Sequence, residues 1–239
     1  MKKFVSLLVS VAMTLSIATP AFATNYKNDV KITETDGVRT AVTEEDGYIY
    51  TAKNNMKTGM FSLTISSSLT GEVVRTVDVD LNNLHIDDVA TMAAVAEQDT
   101  FSGYYYRIDR DSPYDSWDVR CPQSVHDNIE GRSFVDTYYI IVPYSPDNRD
   151  LLDDFKDAVE DLDDSEKEAI SSAGLALVLE YLAIVVASAA GGPIGVGVAE
   201  VAIASIPGLA TYKTAIDKMN DDMNNCYYKW RNIWKYAEY

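Results

Sequence analysis

The chain has 239 residues and a formal net charge of −17, with 20 Lys and Arg residues against 37 Asp and Glu residues. A surface this acidic repels phosphate backbones and anionic lipid headgroups, so nucleic acid is a poor partner and a cationic membrane-disrupting peptide is excluded. The chain is long enough to form one or two domains with a hydrophobic core.

The first 23 residues have the layout of a secretory signal. Lys2 and Lys3 precede an apolar stretch that starts at Phe4. The small residues Ala21 and Ala23 match the pattern that signal peptidases cleave. We therefore predict a signal peptide over residues 1–23, cleavage after Ala23 and a secreted, extracellular mature protein.

The chain contains two cysteines, Cys121 and Cys226. An even number of cysteines in an exported protein favours a disulfide bond, because the extracellular compartment is oxidising. We expect Cys121 and Cys226 to form that bond. The alternative is two separate thiols, with Cys226 serving as a small apolar residue on a helix face.

Residues 24–146 are predicted to form a β-rich N-terminal domain. Segments such as "GYIYTA" and "MFSLTISS" alternate apolar and polar residues and are rich in Val, Ile, Thr and Tyr. One helix is predicted at "HIDDVATMAAVAE", and aromatic-rich strands follow it. Four turn signals separate the early strands, as in an antiparallel meander: Asp36-Gly37, Asp46-Gly47, Thr58-Gly59 and Thr70-Gly71.

Residues 147–239 are predicted to form a helical domain, which makes the fold class α+β. The segment "NRDLLDDFKDAVEDLDD" carries an apolar stripe opposite an acidic face. Ser165 and Glu168 match a capping box, so a new helix is predicted to begin there. That helix enters an apolar stretch and ends at Gly191-Gly192-Pro193. A second apolar helix follows, and an amphipathic helix begins near Ala210.

Residues 169–209 are the strongest functional feature, which we call the apolar hairpin. Between Glu168 and Lys213 the charged residues are Glu180 and Glu200. As a helix, the first half would be roughly 33 Å long, enough to cross a hydrocarbon core of about 30 Å. Small residues at four-residue spacing allow close helix packing. The residues predicted to carry membrane activity are Glu180, Val185, Gly191, Gly192, Pro193, Gly195 and Glu200.

The apolar hairpin has three interpretations. A constitutive membrane anchor is disfavoured, because a glutamate near the middle of a helix costs about 2.5–3.5 kcal/mol on insertion. The hairpin is then either a permanent core or a segment that is stored in water and released at a target membrane. In the second case, protonation of Glu180 and Glu200 would lower the cost of insertion. The residues alone leave these two interpretations open.

The sequence lacks a recognisable catalytic or metal-binding motif. Its two histidines, His85 and His126, have no Cys or Glu at ligand spacing, and there is no nucleophile elbow or phosphate-binding loop. The acidic segment "VEDLDDSEKE" lacks the glycine of a calcium-binding loop. We expect no enzymatic activity, no cofactor and no metal.

Four aromatic residues near the C-terminus lie beside a basic cluster. Tyr and Trp side chains favour both membrane interfaces and helix packing, so both roles remain open for this set. The candidate interfacial residues are Tyr227, Tyr228, Trp230 and Trp234.

Several features of the chain together resemble those of a known family. They are the signal peptide, the β-rich first half, "YDSWDV", "DNRDLLDDFKDAVEDLDDSEKEAISSAG", the Ala/Gly/Val run and the tail "NNCYYKWRNIWKY". In this layout the chain resembles the geobacillin-26-like family of secreted Gram-positive bacteriocin-type proteins. The resemblance implies antibacterial action on a target bacterial membrane or envelope component. The alternative function is a non-toxic extracellular or cell-wall-associated binding protein whose hairpin is a buried core.

Overall fold

The computed structural model describes residues 30–83, 98–109, 116–127, 132–189 and 192–237. The predicted signal peptide and its cleavage residues, the predicted helix at 85–97, and Gly191 lie outside these residues. Within them, antiparallel β-sheets in the N-terminal part precede helices in the C-terminal part. The predicted α+β fold class is therefore confirmed.

The first sheet, sheet A, is a five-stranded antiparallel meander. Its first two turns are the two-residue Asp-Gly pairs, in which all four residues have positive φ, between 50° and 82°. This geometry matches the twist of the adjoining strands and places both predicted hairpins. The strands are β1 (Lys31–Thr35), β2 (Val38–Glu45), β3 (Tyr48–Asn55), β4 (Met60–Ser67) and β5 (Val73–Asp80).

The second sheet, sheet B, consists of four antiparallel strands in chain order. Its longest strands, β8 and β9, pair over their full lengths. Strand β9 also contacts β5 of sheet A, so the two sheets adjoin there. The strands are β6 (Gln98–Asp99), β7 (Tyr105–Asp109), β8 (Ser116–Asp127) and β9 (Arg132–Pro143).

Four α-helices follow in the described residues: α1 (Arg149–Ala173), α2 (Leu175–Ala189), α3 (Val196–Ser205) and α4 (Lys213–Ile233). The predicted helix start at Ser165 is wrong, because α1 runs through it and the Ser165 hydroxyl donates to the Leu162 carbonyl (3.0 Å). Leu162 and Ala169 are fully buried on one face, so packing carries α1 past the capping motif. The helix ends at Gly174, whose φ is 92°.

The helices of the apolar hairpin pack against strands of both sheets. Helix α3 packs on β2 and β3, and α2 contacts β5, β8 and β9. Helices α1 and α4 pack extensively against each other and also contact the hairpin. Strands give way to helices between Pro143 and Arg149, close to the predicted boundary at residues 146 and 147. One hydrophobic core nevertheless includes residues from both parts.

Helix α3 approaches sheet A closely because small residues face each other. Ala41 and Ala52 are paired across β2 and β3, and both are fully buried. A Cβ atom added to Gly197 would lie 2.5 Å from the Tyr50 ring, a distance that real Cβ atoms do not tolerate. The glycine therefore sets how closely the helix and the sheet can pack.

We predict that Gly197→Ala lowers the free energy of unfolding by about 1–3 kcal/mol, because the new methyl group overpacks the contact with Tyr50. Urea denaturation measures the change. Gly195→Ala is the matched control, since nothing lies within 4 Å of the added Cβ. Equal stability of the two variants, or failure of Tyr50→Leu to relieve the Gly197→Ala defect, would contradict the proposed contact.

Candidate functional site

The body of the apolar hairpin is enclosed and its tip is exposed. Every residue of α3 from Gly197 to Ser205 is buried, including Glu200, and Val185 in α2 is fully buried. At the tip, Gly192 is half-buried, whereas Pro193, Gly195 and Val196 are exposed. The predicted site residues thus fall into an enclosed body and an exposed, uncharged tip.

Two arginines of sheet A hold the C-terminal turns of the hairpin helices. The Arg39 Nε donates to the Ala204 carbonyl of α3 at 2.8 Å, and the Arg75 Nη2 donates to the Ala187 carbonyl of α2 at 3.2 Å. The last carbonyls of a helix have no hydrogen-bond partner within the helix, and a cation at this end also interacts favourably with the helix dipole. Each guanidinium therefore supplies a hydrogen-bond donor to a carbonyl at the C-terminal end of a hairpin helix.

Asn54 of β3 links the two hairpin helices. Its Nδ2 donates to Glu180 Oε1 in α2 and to the Ser205 carbonyl at the end of α3, at 3.4 Å in both cases. Burial raises the pKa of Glu180, and the hydrogen bond from Asn54 opposes that rise. The charge nearest the middle of the hairpin thus has a specific partner on sheet A.

Helix α4 holds the hairpin from the other side through two amides. Asn224 is bonded twice to the backbone of Ile194, accepting from its N–H at 2.7 Å and donating to its carbonyl at 3.2 Å. Asn220 donates to the hydroxyl of Tyr181, which is fully buried. The tip and the middle of the hairpin are therefore each tied to α4.

Glu166 fastens α1 to the loop that precedes β7. Its carboxylate accepts the backbone N–H groups of Phe101 and Ser102 at 2.6 and 2.8 Å, and the side chain is fully buried. Burial raises the pKa of Glu166 to about 7, against these hydrogen bonds, which favour the charged form. This buried carboxylate is consequently a pH-sensitive contact between α1 and sheet B.

The expected disulfide is absent, because Cys121 and Cys226 are both free, buried thiols. Cys226 on α4 donates to the Ala158 carbonyl of α1 at 3.1 Å, whereas Cys121 on β8 is hydrogen-bonded to Tyr104. Burial raises the pKa of the Cys121 thiol to about 12. Each thiol therefore acts as a packed, protonated core group with its own partner.

The four C-terminal aromatics divide between core and surface. Trp230 is buried and packs edge-on against Trp234, with ring centroids 4.6 Å apart. Tyr227 packs against the core from a half-buried position, whereas Tyr228 is 51 % exposed. In this conformation, Tyr228 is the member of the set that presents most of its surface to solvent.

Sequence reasoning missed the five polar side chains that hold the hairpin: Arg39, Asn54, Arg75, Asn220 and Asn224. Asn54 had a detectable signal, since it follows Ala52 on the inward face of a strand, where an amide needs a buried partner. The arginines gave no such signal. Arg39 and its partner Ala204 are 165 residues apart, and the partner is a backbone carbonyl.

Known proteins supply no identification. No protein family matches the chain, and no similar curated protein or solved structure was found. Among the described residues, no helix is long and apolar enough to cross a membrane, and no cluster of three or more His, Cys, Asp or Glu side chains could hold a metal ion. The resemblance to the geobacillin-26-like family stays a prediction.

We predict that Arg39→Met and Arg75→Met each lower the free energy of unfolding by about 1–3 kcal/mol, because each leaves a helix-terminal carbonyl without its charged donor. Urea denaturation provides the measurement. Lys53→Met is the control, since it removes a cation from an exposed position of the same sheet. A control variant as destabilised as the other two would show that net charge, rather than the carbonyl contacts, is responsible.

We predict that stability depends on pH through Glu166. Its pKa is about 7 in the fold and near 4.5 ordinarily, so its charged form penalises the fold above pH 7 and the penalty disappears as the pH falls to 4.5. Relative to Glu166→Gln, the wild type should gain roughly 2–3 kcal/mol of unfolding free energy between about pH 8 and about pH 5. Denaturant unfolding at both pH values tests this. A stability difference that is the same at both would contradict the assignment.

Proposed function

We propose that the protein is a secreted bacteriocin-like antibacterial that stores its apolar hairpin in the core and acts with it on the membrane of competing bacteria. The observation that carries the proposal is the combination of an enclosed hairpin body with an exposed, uncharged tip. Val196 is 51 % exposed at the start of α3, and Pro193 and Gly195 are exposed beside it. A tip without charged residues can enter a lipid surface before the body is released.

In this proposal, the β-rich part of the chain covers the apolar hairpin. Sheet A covers α3 and supplies Arg39, Asn54 and Arg75 to polar groups of the hairpin. These side chains replace the partners that helix ends and Glu180 would otherwise need from water. Sheet A therefore acts as the cover that keeps the apolar hairpin soluble before it reaches a membrane.

We predict that Val196→Asp abolishes growth inhibition of related Gram-positive strains and dye release from lipid vesicles, while the protein stays folded. Aspartate at the first residue of a helix is favourable, so the soluble fold tolerates the change. A charge at the tip resists entry into lipid. Val74→Asp is the matched control, because Val74 is similarly exposed, at 60 %, on sheet A. Equal losses in both variants would place the active surface elsewhere.

The second candidate is an extracellular or cell-wall-associated binding protein in which the hairpin is a permanent core. It is favoured by the single hydrophobic core that joins both parts of the chain and by the tight contact of Gly197 with Tyr50. Val185 is fully buried in that core, so Val185→Asp would unfold the protein under either function. Assays of the wild-type protein therefore distinguish the two candidate functions. A wild-type protein that causes neither dye release nor growth inhibition would support the second.

A further inference from the structure

Gly174 is a single-residue break in an otherwise continuous helical path. It has φ 92° and ψ 147°, and it separates the last residue of α1 from the first residue of α2. The helical hydrogen bonds resume directly on both sides. The Gly174 N–H donates to the Ile170 carbonyl at 2.9 Å, and its own carbonyl accepts from Val178 N–H at 3.3 Å.

The conformation of Gly174 is one that other residues avoid. A φ near 90° with ψ near 150° is accessible almost exclusively to glycine. An added Cβ would meet nothing within 4 Å, so the surroundings leave room for a side chain at this position. The break therefore depends on the backbone dihedral angles of a single glycine.

Rotation of Gly174 into helical dihedrals would join the uncharged last turn of α1 to the apolar helix α2. Residues Ala169–Ala189 would form one helix of roughly 31 Å, which matches the hydrocarbon thickness of about 30 Å. Glu180 is the only charged residue in that stretch, and Glu168 immediately precedes it. The acidic end of α1 would thus stay in water while the apolar part lies in the membrane.

We infer that Gly174 is the hinge that converts the stored hairpin into a membrane-length helix, with the hydrocarbon core of a lipid bilayer as its partner. This inference rests on the proposed function and identifies the segment that enters the membrane. In water the bend lets α2 pack against β5, β8 and β9. In lipid the straight form satisfies the backbone groups of Leu175, Ala176 and Leu177, which a bilayer requires.

Two substitutions should shift the equilibrium between the bent and the straight form of Gly174 in opposite directions. Gly174→Ala disfavours the bend and favours the straight helix, so dye release from phosphatidylcholine vesicles should rise about tenfold. Leu175→Pro keeps the bend, because proline suits the first residue of a helix and the ψ of Gly174 suits a following proline. Proline in the middle of the straight helix would break it, so dye release should fall at least about tenfold.

Each variant has a matched control. Gly71→Ala introduces similar backbone strain at another glycine with positive φ (72°) and open surroundings, on the β4–β5 turn. Leu175→Ala removes the same partly exposed side chain as Leu175→Pro but leaves the backbone free. Gly71→Ala should release dye within about twofold of the wild type, since Gly71 lies on sheet A, away from the hinge. Leu175→Ala should release at least about fivefold more dye than Leu175→Pro, since it leaves the backbone free to straighten.

Amide hydrogen exchange on the wild type reports directly whether the helix becomes continuous through Gly174. On vesicle binding, the amides of Leu175, Ala176 and Leu177 should become protected. Dye release by the wild type without this protection, with Leu175→Pro fully active, would overturn the hinge and leave the proposed function standing. No dye release by the wild type would overturn both. If Gly174→Ala fails to fold in solution, judged by circular dichroism, the comparison of Leu175→Pro with Leu175→Ala decides alone.

Discussion

Burial of two apolar helices together with their ends is the constraint on which the rest of the structure depends. The last carbonyls of a helix have no partner within it, and a buried polar group without a partner is costly. The C-terminal turns of α2 and α3 offer alanine carbonyls, which Arg75 and Arg39 satisfy from sheet A. Packing of the hairpin therefore depends in part on the sheet. This explains why one core joins two parts of the chain that differ so strongly in composition.

The acidic groups of the core change how low pH acts on the hairpin. Burial raises the pKa values of both Glu166 and Glu180, so protonation favours the folded state as well as the membrane-inserted state that we propose. Acid lowers the cost of placing Glu180 in lipid, but it lowers the cost of leaving it under sheet A too. Under the proposed function, low pH alone would therefore be a weak trigger for release of the hairpin.

Local sequence patterns predicted most of the strands and helices, whereas the contacts of the candidate site depend on residues that are far apart in the sequence. The Asp36-Gly37 and Asp46-Gly47 pairs specify their hairpins because positive φ at both positions favours one turn type. The Ser165 capping box failed because it competes with an apolar stripe that continues past it, and packing prevails over a local signal. The thiols of Cys121 and Cys226 could not be placed by counting, since disulfide formation depends on Cα separation and Cβ direction. The Gly197–Tyr50 contact likewise exists only once α3 lies on β3.

In the proposed function, the stored and the released hairpin would differ mainly in their polar contacts. Lipid tails are as apolar as leucine side chains, so moving the Ala, Val and Ile residues of α2 from the core to a bilayer changes their environment little. On release, the hairpin would lose the partners supplied by Asn54, Arg39, Arg75 and Asn224. A straight helix through Gly174 recovers backbone hydrogen bonds that the bend interrupts. Under the proposed function, the balance between the stored and the released state would therefore depend on a few identifiable hydrogen bonds rather than on the large apolar surface of this segment.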